Sequence, residues 1–130
     1  MVSIELFVGS RYPVNRKAIR QKIAEVLQEH RVTSAQVSVS IVGRRKIQEL
    51  NEERLHHEGV TDVLSFPQLK NISDDAFPTP EGMGPHLGDI VICFPVAVQQ
   101  AKRYGKRVDD QINFYVEHSM LHLLGYHHDE

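Results

Sequence analysis

Alternating apolar and polar residues predict two strands in the first third of the chain. Val2–Val8 has this alternating character, and within Gln36–Val42 the apolar Val37, Val39 and Ile41 alternate with two serines. A period of two is typical of a strand with one buried face. Both segments are therefore expected to belong to a half-buried sheet.

Apolar residues at helical spacing predict four helices. Asn15 is a candidate N-cap for the first helix and Asp109 for the last, and Gly125 can end the last helix in a left-handed conformation. The predicted helices cover Pro13–His30, Arg44–Arg54, Val96–Tyr104 and about Asp109 to Leu124.

Two short apolar segments, Asp62–Phe66 and Leu87–Phe94, complete the predicted sheet, and the second is expected to end at Pro95. The residues between them, 67 to 86, contain four prolines and two glycines, and we interpret them as a flap. Strands and helices that are mixed without strict alternation predict an α+β fold with a small mixed four-stranded sheet packed with helices. One domain is expected over residues 1–130.

The C-terminal residues contain the pattern His-x3-His-x5-His, formed by His118, His122 and His128. Residues four apart on a helix project from the same side, and a turn at Gly125 can return His128 to the same point. Three imidazoles and one open position are the usual ligand set of a catalytic zinc ion. We therefore predict a zincin-like site for one Zn²⁺ at the C-terminal end of the last long helix. Imidazole also suits other divalent transition metals, and His127 is a rival third ligand.

The neighbours of these histidines affect the chemistry that can be expected. The last helix is apolar nearly all round, so we expect it to be buried, and a metal would satisfy its two histidines. Zinc peptidases of the HExxH type carry their general base directly after the first histidine. This chain has Ser119 there, and Glu117 lies on a different side of the helix. A metallopeptidase is therefore the less favoured of the enzymatic alternatives.

Three sequence motifs resemble the YbeY-type endoribonucleases, a family of ribosomal-RNA maturation factors, and the resemblance covers nearly the whole chain. The motifs are HSMLHLLGYHH at 118–128, TDVLSFP at 61–67 and HLGDIVIC at 86–93. The resemblance implies a zinc-bearing, single-strand-specific RNase that acts on the 3′ end of 16S rRNA in the small ribosomal subunit and in ribosome quality control. It also implies that His118, His122 and His128 are the metal ligands, that His118 takes part in catalysis, and that a ribosomal protein or a GTPase is a candidate partner.

The chain departs from the family pattern at three positions. Ser119 replaces a glycine, and His127 replaces an aspartate. The family places a functional arginine six residues before the threonine of TDVLSFP, where this chain has Leu55. Arg54, one position earlier, is our candidate for that catalytic role. A non-catalytic ribosome-assembly factor with a structural metal is the alternative from a different class.

Further polar residues are candidates for supporting roles. Asp89 can orient a ligand histidine or the flap, or lie in solvent at a turn, and Ser65 and Asp62 can border the cleft. The net charge of −2 does not indicate nucleic acid, so RNA binding has to depend on local basic groups. Those groups are Arg44, Arg45 and Lys46; Lys102, Arg103, Lys106 and Arg107; and Arg11, Arg16, Lys17, Arg20 and Lys22.

The cellular setting follows from the cysteine content and the apolar runs. The lone Cys93 lies in an apolar segment, where a buried core residue is expected, and one cysteine cannot form an intramolecular disulfide. The longest apolar run, Ile90–Val98, is too short for a membrane span. We therefore expect a cytoplasmic protein with no membrane and no DNA partner.

Overall fold

The computed structural model describes residues 1–9, 11–68 and 84–126. Its sheet has four strands in the order β1-β2-β4-β3, in which β1, β2 and β4 are parallel and β3 is antiparallel to β4. Both β1 and β3 are therefore edge strands. The predicted α+β class with a small mixed sheet is confirmed. The strands are β1 (Val2–Val8), β2 (Ala35–Val42), β3 (Val63–Pro67) and β4 (His86–Cys93).

Four helices surround the sheet, and they agree with the predicted ranges to within a few residues. Asn15 caps the first helix as predicted, since its side chain accepts a hydrogen bond from the Ala18 N–H at 3.0 Å. In the described part of the chain, none of the helices is long and apolar enough to cross a membrane. The helices are α1 (Arg16–Glu29), α2 (Arg44–Leu55), α3 (Phe94–Arg103) and α4 (Val108–Leu123).

Two predicted element ends are wrong. Phe94 is not the last strand residue but the first residue of α3, and Pro95 lies in its first turn, where proline is favoured because the amide it lacks would have no partner inside the helix. Asp109 does not cap α4, because the N-cap residue is Arg107. Its carboxylate instead accepts a hydrogen bond from the Asn15 N–H at 3.2 Å, which joins the starts of α1 and α4.

The two faces of the sheet differ in what covers them. On the α4 face, Ile90 and Ile92 are fully buried in the main core with residues of α1 and α4. On the α2 face, Leu64, Val91 and Cys93 form a smaller core with Ile47 of α2. Successive strand residues point to opposite faces, so β2, β3 and β4 each supply both cores.

Gly88 allows the C-terminal end of α4 to approach β3 and β4 closely. Its φ of +151° is a conformation that side chains disfavour. A Cβ there would lie 2.8 Å from Leu123 Cδ2 of α4 and would collide with the carbonyl oxygen of Phe66. The last turn of α4 is thereby held against the edge of the sheet.

Candidate functional site

The candidate site begins at the last two turns of α4, where His118 is exposed and His122 is half-buried. The helix then ends as predicted at Gly125, whose φ is +96°. Gly125 donates its N–H to the carbonyl of His122 at 3.0 Å, and Tyr126 donates to that of Leu121 at 2.9 Å. This pair of bonds is a Schellman motif, which turns the chain away from the helix axis.

The predicted third ligand, His128, and its rival His127 lie outside the described residues. Within residues 1–9, 11–68 and 84–126, no group of three histidine, cysteine, aspartate or glutamate side chains could hold a metal ion. A site built on His118 and His122 therefore needs a ligand from elsewhere in the chain. The three-histidine site stays a prediction.

Ser65 of β3 contacts the second histidine of α4. Its Oγ lies 2.9 Å from Nδ1 of His122. In the tautomer that carries its proton on Nδ1, the imidazole donates to the serine oxygen, and Nε2 is the basic nitrogen. Histidines that bind metals usually make such a bond through their other ring nitrogen, because it fixes the ring and its tautomer. The donor set at this end of α4 therefore fits a metal ion.

The expectation that α4 is buried nearly all round is wrong for one side of the helix. Phe114 is 53% exposed, and Glu117 and His118 are also exposed. Tyr115, Val116, Met120 and Leu123 form the buried side. Burial therefore gives no reason for His118 to need a metal, and Nδ1 of the half-buried His122 already has Ser65 as a hydrogen-bond partner.

A buried polar patch lies two turns before His122 on α4, next to the start of β3. Burial raises the pKa of the Tyr115 phenol to about 12; the carboxylate of Asp62 adds to this rise, and Gln111 opposes it. Among the described residues, Tyr115 Oη and Gln111 Oε1 have no hydrogen-bond partner of regular geometry. Asp62 also accepts a hydrogen bond from the Val63 N–H at 2.8 Å. The sequence interpretation did not single out Tyr115, although its position seven residues before His122 places it on nearly the same side of α4.

Arg54 lies on the other face of the sheet. Its Cζ is 4.7 Å from the centre of the Phe66 ring, a cation–π arrangement. Phe66 follows Ser65 on β3 and packs in the α2-face core, so its side chain points away from α4. The structure thus brings Ser65 to His122 but places Arg54 on the opposite face.

Asp89 also lies on the α2 face, in the middle of β4 and half-buried, so a turn position in solvent is wrong for it. Its carboxylate accepts hydrogen bonds from Ser38 Oγ and, at 3.2 Å, from Gln68 Nε2. His86 Nε2 is 3.3 Å from the same carboxylate. Gln68 lies at the start of the predicted flap, of which residues 69–83 lie outside the described residues. These contacts favour a role for Asp89 in anchoring the flap over one in orienting His118 or His122.

Known proteins resemble the chain in sequence and in fold. Endoribonuclease YbeY of Anaeromyxobacter sp. strain Fw109-5 is 35% identical over 125 residues, which are 94% of this chain and 60% of that protein. The Alkaliphilus metalliredigens protein of the same name is 37% identical, over 86% of this chain and 76% of its own length. The solution structure of TM1509 from Thermotoga maritima has a TM-score of 0.59 at 24% identity, over 99% of this chain and 75% of its own. That last likeness supports the fold.

The chain is shorter than the relatives that it matches. The chain spans about 60% of the length of the Anaeromyxobacter relative and 62% of that of Finegoldia magna. The single domain over residues 1–130 stays a prediction. A family model described as endoribonuclease YbeY matches residues 9–130, nearly the whole chain, and the chain therefore belongs to the YbeY family.

Proposed function

We propose that the chain is a metal-dependent endoribonuclease that cleaves single-stranded RNA, with His118, His122 and His128 holding one zinc ion. The observation that carries this proposal is the pair of imidazoles one turn apart on α4, with a serine hydroxyl at Nδ1 of His122, in a chain of the YbeY family. The chemistry that such an ion supplies is Lewis-acid activation of water and of the phosphodiester.

The residues around the ion have separate tasks in this proposal. Ser65 holds the His122 ring and its tautomer, which would leave Nε2 as the nitrogen that binds the ion. His118 is exposed, so a phosphodiester can reach it from solvent. Arg54 stays a candidate catalytic residue. It lies beside Phe66 on the edge strand β3, and the rate of RNA cleavage after its replacement tests its role.

The peptidase alternative receives no support from α4. The residue after His118 is Ser119, whose side chain is buried in the core. A general base at that position would face the core rather than a substrate. Glu117 is exposed on another side of the helix, as expected. Metal content, fold and RNA cleavage, measured together, distinguish a structural metal in an assembly factor from a catalytic metal.

The natural substrate that we propose is the 3′ end of 16S rRNA, in the cytoplasm and in the context of the small ribosomal subunit. The net charge of −2 supports this context, because an acidic chain gains little affinity for free RNA from its overall charge. A ribosomal protein or a GTPase would then supply part of the docking energy. Cleavage should accordingly be faster on small subunits than on the same RNA without protein.

The test measures metal content, fold and RNA cleavage on the same samples of wild type, His118→Ala, His122→Ala and His128→Ala. The exposed His57 of the segment after α2 provides a matched control, His57→Ala. We expect one zinc ion per wild-type and control chain, its loss in the three variants, and cleavage of single-stranded RNA that falls to background with it. Variants that lose zinc and unfold would support the structural-metal alternative. Variants that keep full cleavage would contradict the proposal.

A further inference from the structure

An exposed strip of aromatic and basic residues leads from the end of α3 to His118. Two large rings in it are exposed to solvent, Tyr104 by 60% and Phe114 by 53%. Burial in the core accounts for neither ring. The strip consists of Lys102, Arg103, Tyr104, Lys106, Arg107, Phe114 and His118.

Within this strip, Phe114 lies next to a cation and to the candidate catalytic histidine. Its ring centre is 6.3 Å from that of His118, with an angle of 24° between the two planes. Nζ of Lys106 lies 4.8 Å from the centre of the same ring. Phe114 and His118 are one helical turn apart, about 6 Å along the axis of α4.

A surface on which aromatic rings alternate with cations is better suited to binding single-stranded nucleic acid than to binding an apolar surface of another protein. Bases stack on exposed aromatic side chains whatever their identity, and lysine and arginine side chains bind the phosphates between them. The strip carries four lysine or arginine side chains beside its two exposed rings. A nonpolar partner would leave these cations desolvated and unpaired, which is unfavourable.

We propose that Phe114 is the platform on which a base of the RNA stacks, next to the phosphodiester presented at His118. The base takes the face of the ring that Lys106 Nζ now covers, and the ammonium group pairs with the neighbouring phosphate. Phe114 is then a positioning residue that sets the affinity for single strands. This inference rests on the proposed endoribonuclease function, because it identifies the strip as part of the substrate path.

Binding is measured by fluorescence anisotropy with a labelled 12-nucleotide single-stranded RNA, in chelator so that no cleavage occurs. A copy of this RNA that contains 2-aminopurine reports stacking through quenching of its fluorescence. The variants are Phe114→Leu, Phe114→Tyr and Lys106→Gln. Phe7→Leu is the matched control, because Phe7 is 57% exposed on the edge strand β1. Melting temperatures of all variants verify the fold.

We expect Phe114→Leu to weaken RNA binding roughly 5- to 150-fold and to reduce the quenching, while Phe114→Tyr restores both. Lys106→Gln should lower the slope of log Kd against log salt concentration by about one unit. Phe7→Leu should bind like wild type. Wild-type affinity in Phe114→Leu, or an equal loss in Phe7→Leu, would overturn the proposal.

The failure of this inference and that of the proposed function are distinguishable. If metal-loaded wild type cuts RNA and Phe114→Leu has the same KM and kcat, the function stands and the platform is lost. If Phe114→Leu loses affinity but wild type cuts no RNA, the platform stands and the proposed function fails. A raised KM with an unchanged kcat in Phe114→Leu supports both.

Discussion

The two faces of the sheet are formed by the same strands but are covered by different helices. The α4 face is packed against two helices, and there the hydroxyl of Ser65 meets His122. On the α2 face, Asp89 collects polar contacts from Ser38 and Gln68 beside a smaller core. The half-buried hydroxyl of Ser65 under α4 thus meets the candidate metal ligand, whereas the half-buried carboxylate of Asp89 on the α2 face contacts Gln68.

One sequence motif supplies both faces. In TDVLSFP, Ser65 points to α4, while its neighbour Phe66 points to α2 and lies under the guanidinium of Arg54. Residues adjacent in a motif are therefore not adjacent in the site. Comparing matched substitutions on the two faces shows which face carries the chemistry.

The largest effect is expected at Gly88, where α4 meets the sheet. Gly88→Ala adds a Cβ at a φ of +151°, against Leu123 and the Phe66 carbonyl, and should lower the free energy of unfolding by about 2–4 kcal/mol. Urea denaturation measures this change. Gly105→Ala is the control, because it has a positive φ of +65° but no atom within 4 Å of the added Cβ. Equal losses in the two variants would show that close packing at Gly88 contributes nothing.

The next effect depends on pH and tests the buried side of α4. The phenol of Tyr115 has a folded-state pKa of about 12, against an ordinary value of 10.0. Between these values the unfolded chain loses the proton and the folded chain keeps it, so stability present below pH 10.0 is lost as the pH rises towards 12. The loss amounts to about 2–3 kcal/mol. Urea denaturation at several alkaline pH values should show that the free energy of unfolding falls less with rising pH in Tyr115→Phe than in wild type. If the free energy of unfolding falls equally with pH in the variant and in wild type, that result would contradict the burial of this phenol.

Two serines, one on each face, give a direct comparison of the sites. Ser65→Ala removes the partner of His122 Nδ1 and should weaken zinc binding by roughly 10–100-fold, measured by competition with a chelator. Ser38→Ala removes a hydrogen bond to Asp89 on the other face and should leave zinc affinity unchanged. If Ser38→Ala weakens zinc binding as much as Ser65→Ala, the assignment of the metal to the α4 face is wrong.

The smallest effect on stability is expected at Arg54. Arg54→Ala removes an exposed cation–π contact with Phe66 and should lower the free energy of unfolding by about 0.5–1 kcal/mol. Its effect on RNA cleavage decides its function. A fall in kcat with unchanged zinc content would establish Arg54 as a catalytic contributor despite its position on the α2 face. Unchanged cleavage would remove it from the candidate site.

Most of the fold could be predicted from local patterns because those patterns have local causes. Alternation in β2 and the Asn15 cap of α1 each depend on residues a few positions apart. The error at Asp109 arose because the decisive partner is distant: its carboxylate accepts a hydrogen bond from the Asn15 N–H, 94 positions away. The error at Phe94 is local, since this residue extends the apolar run of β4 but is the first residue of α3, with Pro95 in its first turn.

The candidate site was predictable to the extent that helix geometry determines it. The spacing of His118 and His122 places both at the end of α4, and Gly125 turns the chain there. The contact between Ser65 and His122 joins residues 57 positions apart, so it depends on the packing of α4 against β3. The exposure of Phe114 was missed because its apolar character suggested a place in the core.

The buried Cys93 gives this protein a built-in reporter of local opening. Its side chain lies in the α2-face core, where burial raises the pKa of the thiol. A thiol reagent reacts with the thiolate, so labelling in the native state requires α2 to separate transiently from β4. The chain contains one cysteine, and the labelling rate therefore measures this separation without any engineered probe. Compared between free protein and protein mixed with ribosomal subunits, that rate tests whether the proposed docking tightens the α2 face.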